Sequence, residues 1–233
     1  MLSKIAVLTI DDSPSIHMAG RVAFLASKNI PAVWFCRGDY LEERPESAMQ
    51  ALLNGSILGN HSYDHSYFSR LSLTDAFEQI DRTEALIDEV HVKAGVARKI
   101  KCFRFPYEAK VGTPEHHADL QSGLRERGFV PLGMDGVVSQ AFLDHASRGE
   151  SSWYWTYDAE DWKLVAPDDP DAGERLAAAL ERMDRDEPAA DCGLNRHGTE
   201  IVILHDHDRA AGQWEVLVER LLSKGLRFTL PKA

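Results

Sequence analysis

The chain has 233 residues and an apolar fraction of 44%, enough for a sizeable core in one large domain or two small ones. Its net charge of −11 argues against nucleic acid and against an anionic membrane surface as partners, because phosphate groups need a basic face. No apolar run approaches the length of a transmembrane helix, and "MLSKIAVLTIDD" enters a strand with no room for a signal peptide, so a cytoplasmic location is expected.

Strand-like and helix-like patterns alternate from the start. "KIAVLTI" (4–10) reads as a buried strand that runs into two adjacent carboxylates, Asp11 and Asp12. A helical pattern over about 15–29 leads to the strand "AVWFC" (32–36), and another over 45–54 leads to "SILGNH" (56–61). The long helical pattern 73–94 ends at Gly95, where a C-terminal glycine belongs. "KCFRFPY" (101–107) reads as a strand. Thr113-Pro114-Glu115 then marks an N-cap with proline at the first position of a helix over 114–127, closed by Gly128. "FVPLGM" (129–134) and "WYWTYD" (153–158) are further strand candidates. Between them "DGVVSQAFLDHASRGES" (135–151) is expected to form an extra helix or a flap that shapes substrate choice. A helical pattern over 170–187, the long polar connection 185–200, the strand "EIVILH" (200–205), a helix over 210–224 ending at Gly225 and the strand "LRFTL" (226–230) complete the chain. Continuous apolar strands separated by helices imply a parallel sheet covered by helices. Seven or eight such strands, with no internal repeat and no linker, predict a barrel and a single domain over 1–233.

In a parallel barrel the reacting groups collect at the C-terminal ends of the strands. Five strand ends here carry ionisable residues: Asp11 and Asp12; His61 and His65 in "NHSYDHSYF"; Arg104 in "RFPY"; Asp158 and Asp161, with Trp162 beside them, in "YDAEDW"; and His205 in "LHDHD". Three readings compete for the paired aspartates: a phospho-receiver, a phosphohydrolase nucleophile, or one metal ligand beside one proton carrier. A receiver needs a phospho-acceptor Asp after its third strand, where this chain has Asn60-His61, and a haloacid-type phosphohydrolase needs Asp-x-Asp. Neither uses two histidines four residues apart, a spacing suited to holding one ion. Two imidazoles and a carboxylate with positions left for water make a catalytic metal site.

"LTIDDSPS", "GNHSYDHSYFSRLS", "FRFPY", "YDAEDWK" and "IVILHD" stand in the order of the five motifs of the polysaccharide deacetylases, and the chain resembles that family from Ile5 to Asp206. These carbohydrate esterases include chitin, peptidoglycan and nodulation-factor deacetylases. The resemblance implies an α/β fold, an irregular (β/α) barrel with seven or eight mainly parallel strands. It implies a divalent metal, zinc first, with Co2+, Ni2+, Mn2+ or Fe2+ as other choices, held by Asp12, His61 and His65. Asp11 would be the general base, paired with and oriented by Arg104. The backbone N–H of Tyr107 would help stabilise the oxyanion. Asp161, or Asp158 in its place, would orient His205, the general acid. Trp162 and Leu204 would line the pocket for an acetyl methyl. Ser13 stands where the family usually has glycine. The implied substrate is an N-acetylated carbohydrate. A non-sugar linear or cyclic amide, or a non-catalytic metal-containing glycan binder, is the alternative.

The remaining candidates have plainer readings. Cys36, Cys102 and Cys192 form no CxxC and read as buried free thiols. Trp153, Tyr154 and Trp155 read as core before sugar platform. His91, His116, His117, His145 and His197 read as solvated, His207 as a loop residue, and His17 and Asp208 as residues without a role.

Overall fold

β1 (Lys4–Ser13) is the central strand of the computed structural model, which describes residues 4–107, 112–185, 194 and 197–232. Its side chains alternate between two apolar layers. Ala6, Leu8 and Ile10 join a core with residues of the covering helices, among them Val22, Leu25, Ala48, Trp214 and Leu217. Val7 points the other way, into a cluster with Val33, Phe35, Cys102, Trp153 and Ile201. Burial on both faces explains why the strand reads as one continuous apolar run.

All ladders are parallel. The order is β3 (Ile57–Asn60), β2 (Ala32–Cys36), β1, β5 (Glu200–His205), β4 (Tyr157–Asp158), with β6 (Leu226–Phe228) beside the first residues of β1. Isolated parallel bridges, Asn60 to Phe103 and Phe103 to Ser152, carry the pairing from β3 towards the segment that ends in β4. The result is an irregular (β/α) barrel whose wall at Phe103 is held by single bridges instead of a ladder. Two expected strands are reduced and one is absent among the described residues. Within 101–107 only Phe103 pairs, and within 153–158 only the last two residues do. Residues 129–134 form no strand: Pro131 has no N–H to donate, and the Val130 N–H bonds to the Lys101 carbonyl at 3.0 Å without a ladder forming.

The helices follow the periodicity. α1 (Met18–Ser27), α2 (Gly38–Glu43), α3 (Pro45–Leu53), α4 (Leu73–Ala94), α5 (Pro114–Glu126), α6 (Gln140–Ser147), α7 (Ala172–Arg185) and α8 (Trp214–Ser223) are present, and only the short α2 is absent from the sequence reading. Thr113 caps α5 by accepting the His116 N–H, and Gly95 at φ 67° closes α4. Among the described residues, no helix is long and apolar enough to cross a membrane.

The 135–151 segment does contain a helix, α6, but it is not placed as a flap over the strand ends. Val137 and Phe142 pack with Val7, Val33 and Ile201, and the Gly136 carbonyl accepts the Thr199 N–H one residue before β5 begins. The segment therefore plugs the amino-terminal end of the barrel, opposite the face where strands deliver side chains. Two histidines expected in solvent are buried instead, because each has partners: His91 on the Val96 carbonyl at 2.8 Å, and His145 on Glu150 at 2.9 Å and the Ser152 carbonyl at 2.8 Å. Cys36 and Cys102 are buried free thiols. Cys192 and most of the 185–200 connection lie outside the described residues.

Gly59 faces the barrel interior. A Cβ there would lie 2.6 Å from Phe35 Cδ1 and 2.9 Å from Cys102 Sγ, side chains with no exposed surface. Gly59→Ala is expected to cost about 1–3 kcal/mol by overpacking. An unchanged denaturant midpoint would contradict that packing.

Candidate active site

At the carboxyl end of β1, Asp11 continues the inner face of Val7 and Thr9 and stands opposite His205 in the ladder with β5. Plain alternation would turn its neighbour Asp12 outward, into the helices. It does not, because the strand bulges. From Ile10 to Ser13 β1 advances three residues while its partner β2 advances two, from Trp34 to Cys36. Asp12 takes a left-handed φ of 61°, and its carboxylate turns back into the cavity that Asp11 borders. Ser62, His65, Tyr107 and Glu160 share this backbone region, at φ 53–64°. Such conformations are uncommon for non-glycine residues and cluster at functional sites.

Asp12, His61 and His65 form the one cluster of three potential metal ligands among the described residues, with their ligand atoms within 4.8 Å of one another. His65 Nε2 lies 3.1 Å and His61 Nε2 3.8 Å from Asp12 Oδ1. Ligands ~2.0–2.1 Å from a tetrahedral ion are roughly 3.3 Å apart, close to these spacings. Asp12 Oδ1 is buried with no hydrogen-bond donor, the condition of a ligand atom facing a cation. His61 Nδ1 lies 2.9 Å from the Arg104 carbonyl, which can only accept. Its proton therefore sits on Nδ1, and Nε2 presents a lone pair to the cluster. Burial works against charge on Asp12, but His65, His61, His205 and His207 around it hold its carboxyl down at about 2. Burial and the neighbouring His61 push His65 down to about 4, against the pull of Asp12. A neutral imidazole beside an ionised carboxylate is the protonation state that a divalent cation needs.

Two pairs flank the cluster. Arg104, with no exposed surface, donates from Nη1 to Asp11 Oδ1 at 2.7 Å and to Thr9 Oγ1 at 2.9 Å, and from Nε to the Trp153 carbonyl at 3.2 Å. The other Asp11 oxygen faces His61 Nε2 at 3.6 Å. Across the cavity His205 Nδ1 donates to Asp161 Oδ1 at 2.8 Å, and the His205 backbone N–H donates to Asp161 Oδ2 at 2.7 Å. Burial opposes a charged His205, yet Asp161, then Asp12 and Asp11, raise it to about 10. Asp158 is occupied within its own loop, accepting the Glu160 N–H at 2.7 Å, so it is Asp161 that meets the imidazole.

The remaining expected residues divide. Tyr107 stands beside the cluster, its ring 4.5 Å from that of His65 and stacked 3.8 Å from Tyr67. Trp162 is 44% exposed on the turn that carries Asp161. Leu204 does not join the cavity: it is fully buried in the core beneath the helices, because strand alternation sets it opposite to His205. Ile203, two residues from His205, is the one on the cavity face. Trp153 is core, donating from Nε1 to the Val130 carbonyl. His207 lies in the loop after β5, as expected, but also borders the site: its ring stacks 5.2 Å from His205 and its Nδ1 lies 3.6 Å from Asp12 Oδ2. The "HDH" spacing was the only signal for it. His17 and Asp208 hold each other through the Asp208 carbonyl, 3.1 Å from His17 Nε2.

Fold and site together define a (β/α) barrel with an Asp-His-His cluster that could hold a metal ion, set between the Arg104–Asp11 and Asp161–His205 pairs. The sequence model of the polysaccharide deacetylase family matches residues 2–121, and the chain belongs to that family. A peptidoglycan-N-acetylglucosamine deacetylase of Bacillus cereus is 22% identical over 97% of this chain and 68% of its own length. Another curated relative is matched over only 37% of this chain and 19% of its own length, so the chain spans a part of the proteins it resembles. A family 4 carbohydrate esterase from Streptomyces lividans, solved with acetate, has the same fold at a TM-score of 0.65 and 19% identity, over 98% of this chain and 93% of that one. A family 4 pseudoenzyme from Bacillus anthracis matches at 0.62 and 18%, over 97% and 63%.

Protein purified without chelator is expected to carry about one divalent ion per chain by elemental analysis, and the double variant His61→Ala, His65→Ala to carry none. Full occupancy in that variant would remove the site. The His205–Asp161 pair gives a pH signature. A histidine raised from 6.5 to about 10 on folding stabilises fully below pH 6.5 and loses that contribution as pH rises through 10. The stability gap between wild-type and Asp161→Asn apoprotein should therefore narrow from pH 6 to above pH 10 in urea titrations. A gap independent of pH would refute the pairing.

Proposed function

We propose that the chain is a metal-dependent hydrolase that removes N-acetyl groups from an amino-sugar-containing oligosaccharide or glycan precursor. The observation that carries this reading is the meeting at one barrel end of the Asp12–His61–His65 cluster with the Arg104–Asp11 and Asp161–His205 pairs. A divalent cation held by the cluster, zinc before cobalt, nickel, manganese or iron(II), supplies a Lewis acid for the amide carbonyl and lowers the pKa of water towards ~7.

The chain's own residues supply the rest. Asp11, with Oδ1 held by Arg104, has Oδ2 left to take a proton from the attacking water. The Tyr107 N–H, on a left-handed turn beside the cluster, would donate to the oxygen that becomes negative as the tetrahedral carbon forms. His205 keeps Nδ1 on Asp161 and offers a proton from Nε2 to the leaving nitrogen. Without that proton the departing group would be an amide anion, a far poorer leaving group than an amine. Trp162 and Ile203 border the space for the acetyl methyl. A pure glycan binder has no use for either flanking pair, which favours the catalytic reading over the pseudoenzyme one.

The test is acetate release from a panel of N-acetylated oligosaccharides, nucleotide sugars, non-sugar amides and cyclic imides. Release from N-acetylated sugars, abolished by chelator and restored by zinc, is the expected result. Turnover confined to non-sugar amides, or none by the metal-loaded protein, would overturn it.

A further inference from the structure

Beneath the cavity lies a buried ion pair that the proposed chemistry does not use. Arg21 of α1 and Asp206, the residue after β5, are each 1% exposed. Arg21 Nη1 donates to Asp206 Oδ1, and Arg21 Nη2 donates to the His207 carbonyl at 2.9 Å. The Asp206 carboxylate also accepts the Ser15 N–H at 2.7 Å and the Ser15 hydroxyl at 2.8 Å. The Asp206 N–H donates to the Asp11 carbonyl at 2.7 Å. One carboxylate and one guanidinium thus join the loop that follows Asp11 and Asp12 to the loop that follows His205. Behind them the guanidinium packs over Trp214 of α8, 5.4 Å from its ring centre.

The arrangement is a poor way to gain stability. Removing two charges from water costs about as much as their attraction returns, and apolar replacements of such pairs are often neutral or better. Arg21 Nε is moreover buried without an acceptor. What the pair does provide is direction: every contact it makes across the two loops fixes where one lies on the other. The last ladder pair between β1 and β5 is Asp11 with His205, so beyond that point the clasp replaces the sheet in holding them.

We propose that Arg21 and Asp206 are positioning residues, whose buried pair locks the His205 loop onto the Asp11–Asp12 loop and so sets the separation of acid from base. The catalytic part rests on the deacetylase reading. Displacements of about 1 Å in such a pair can cost ~10²-fold in rate, so the clasp should act on turnover and leave substrate binding largely alone.

The single variant Asp206→Asn strands the Arg21 charge and is at risk of misfolding. The double variant Arg21→Met, Asp206→Asn carries no buried charge and keeps an amide that can hold Ser15. In the zinc-loaded full chain it is expected to bind zinc as the wild type does, to lose about 10–100-fold in kcat, and to keep KM within about twofold. Arg21→Lys, which can reach only one of the two acceptors, should recover part of the kcat. Amide hydrogen exchange gives a readout that does not depend on activity. The Asp206 N–H should exchange at least tenfold faster in the double variant, while the Val202 and Ile203 amides within β5 stay protected. A folded double variant with normal kcat would overturn the positioning role. Unchanged Asp206 exchange, or an equal loss of protection along all of β5, would overturn the clasp itself, even if no acetylated sugar proves to be a substrate.

Discussion

The buried guanidinium of Arg104 is the constraint on which the barrel's upper half depends. A cation with no exposed surface needs partners for its donors, and here Nη1 and Nε find them on separate parts of the wall, while Nη2 has none. Nη1 reaches Thr9 and Asp11 on β1, and Nε reaches the Trp153 carbonyl on the segment before β4. Its backbone closes the other side, with its N–H on the Asn60 carbonyl and its own carbonyl on His61 Nδ1. Phe35 fills the space beneath, its ring 4.4 Å from the guanidinium carbon, and Gly59 leaves room for that ring. Arg104 thereby does by side chain what a ladder does elsewhere: it ties Phe103's single-bridged wall to β1, and in doing so it orients both Asp11 and His61.

That arrangement shows how adjacent carboxylates come to hold different positions. Asp11 is set by the sheet, in register with His205 and fixed by Arg104. Asp12 is set by leaving the sheet, through a bulge and a left-handed turn. The same cavity then holds two oxygens in different environments, one paired with a guanidinium and one bare among imidazoles. A cation on the Asp12 cluster would offset the carboxylates that help raise His205. That would leave Asp161 as its main partner and bring its acidity closer to what proton delivery near neutral pH requires.

Much of this was legible in the sequence, for physical reasons that also mark where legibility ends. The strands at 4–10, 32–36 and 200–205 read as largely apolar runs because both faces are buried, and α4 and α5 announce their ends through Gly95 and Thr113-Pro114. The chemistry-bearing residues could be found because a parallel barrel gathers its strand ends. What could not be read is what depends on partners far away in sequence. The strand at 101–107 shrinks to one bridging residue, Phe103, whose wall is tied to β1 by the Arg104 side chain. Residues 135–151 follow a strand candidate in sequence, yet nothing in that order says at which end of the barrel they pack. The Arg21–Asp206 pair is separated by 185 positions, and although Asp206 closes the motif "IVILHD", Arg21 belongs to none. The resemblance implies Leu204 as pocket lining, whereas the period of two hands the cavity face to Ile203.

The central claim is that Asp11 moves a proton while Asp12 holds an ion. Metal content and acetate release, measured together over a range of zinc concentrations for Asp11→Asn and Asp12→Asn, test it most directly. Asp11→Asn should keep about one ion per chain and lose ~10²–10⁴-fold in turnover, the range expected for a general base. Asp12→Asn should lose the ion and regain part of its activity in excess zinc. An Asp11→Asn protein that turns over normally, or that loses activity only in step with its metal, would contradict the division of labour and make the two carboxylates simple ligands.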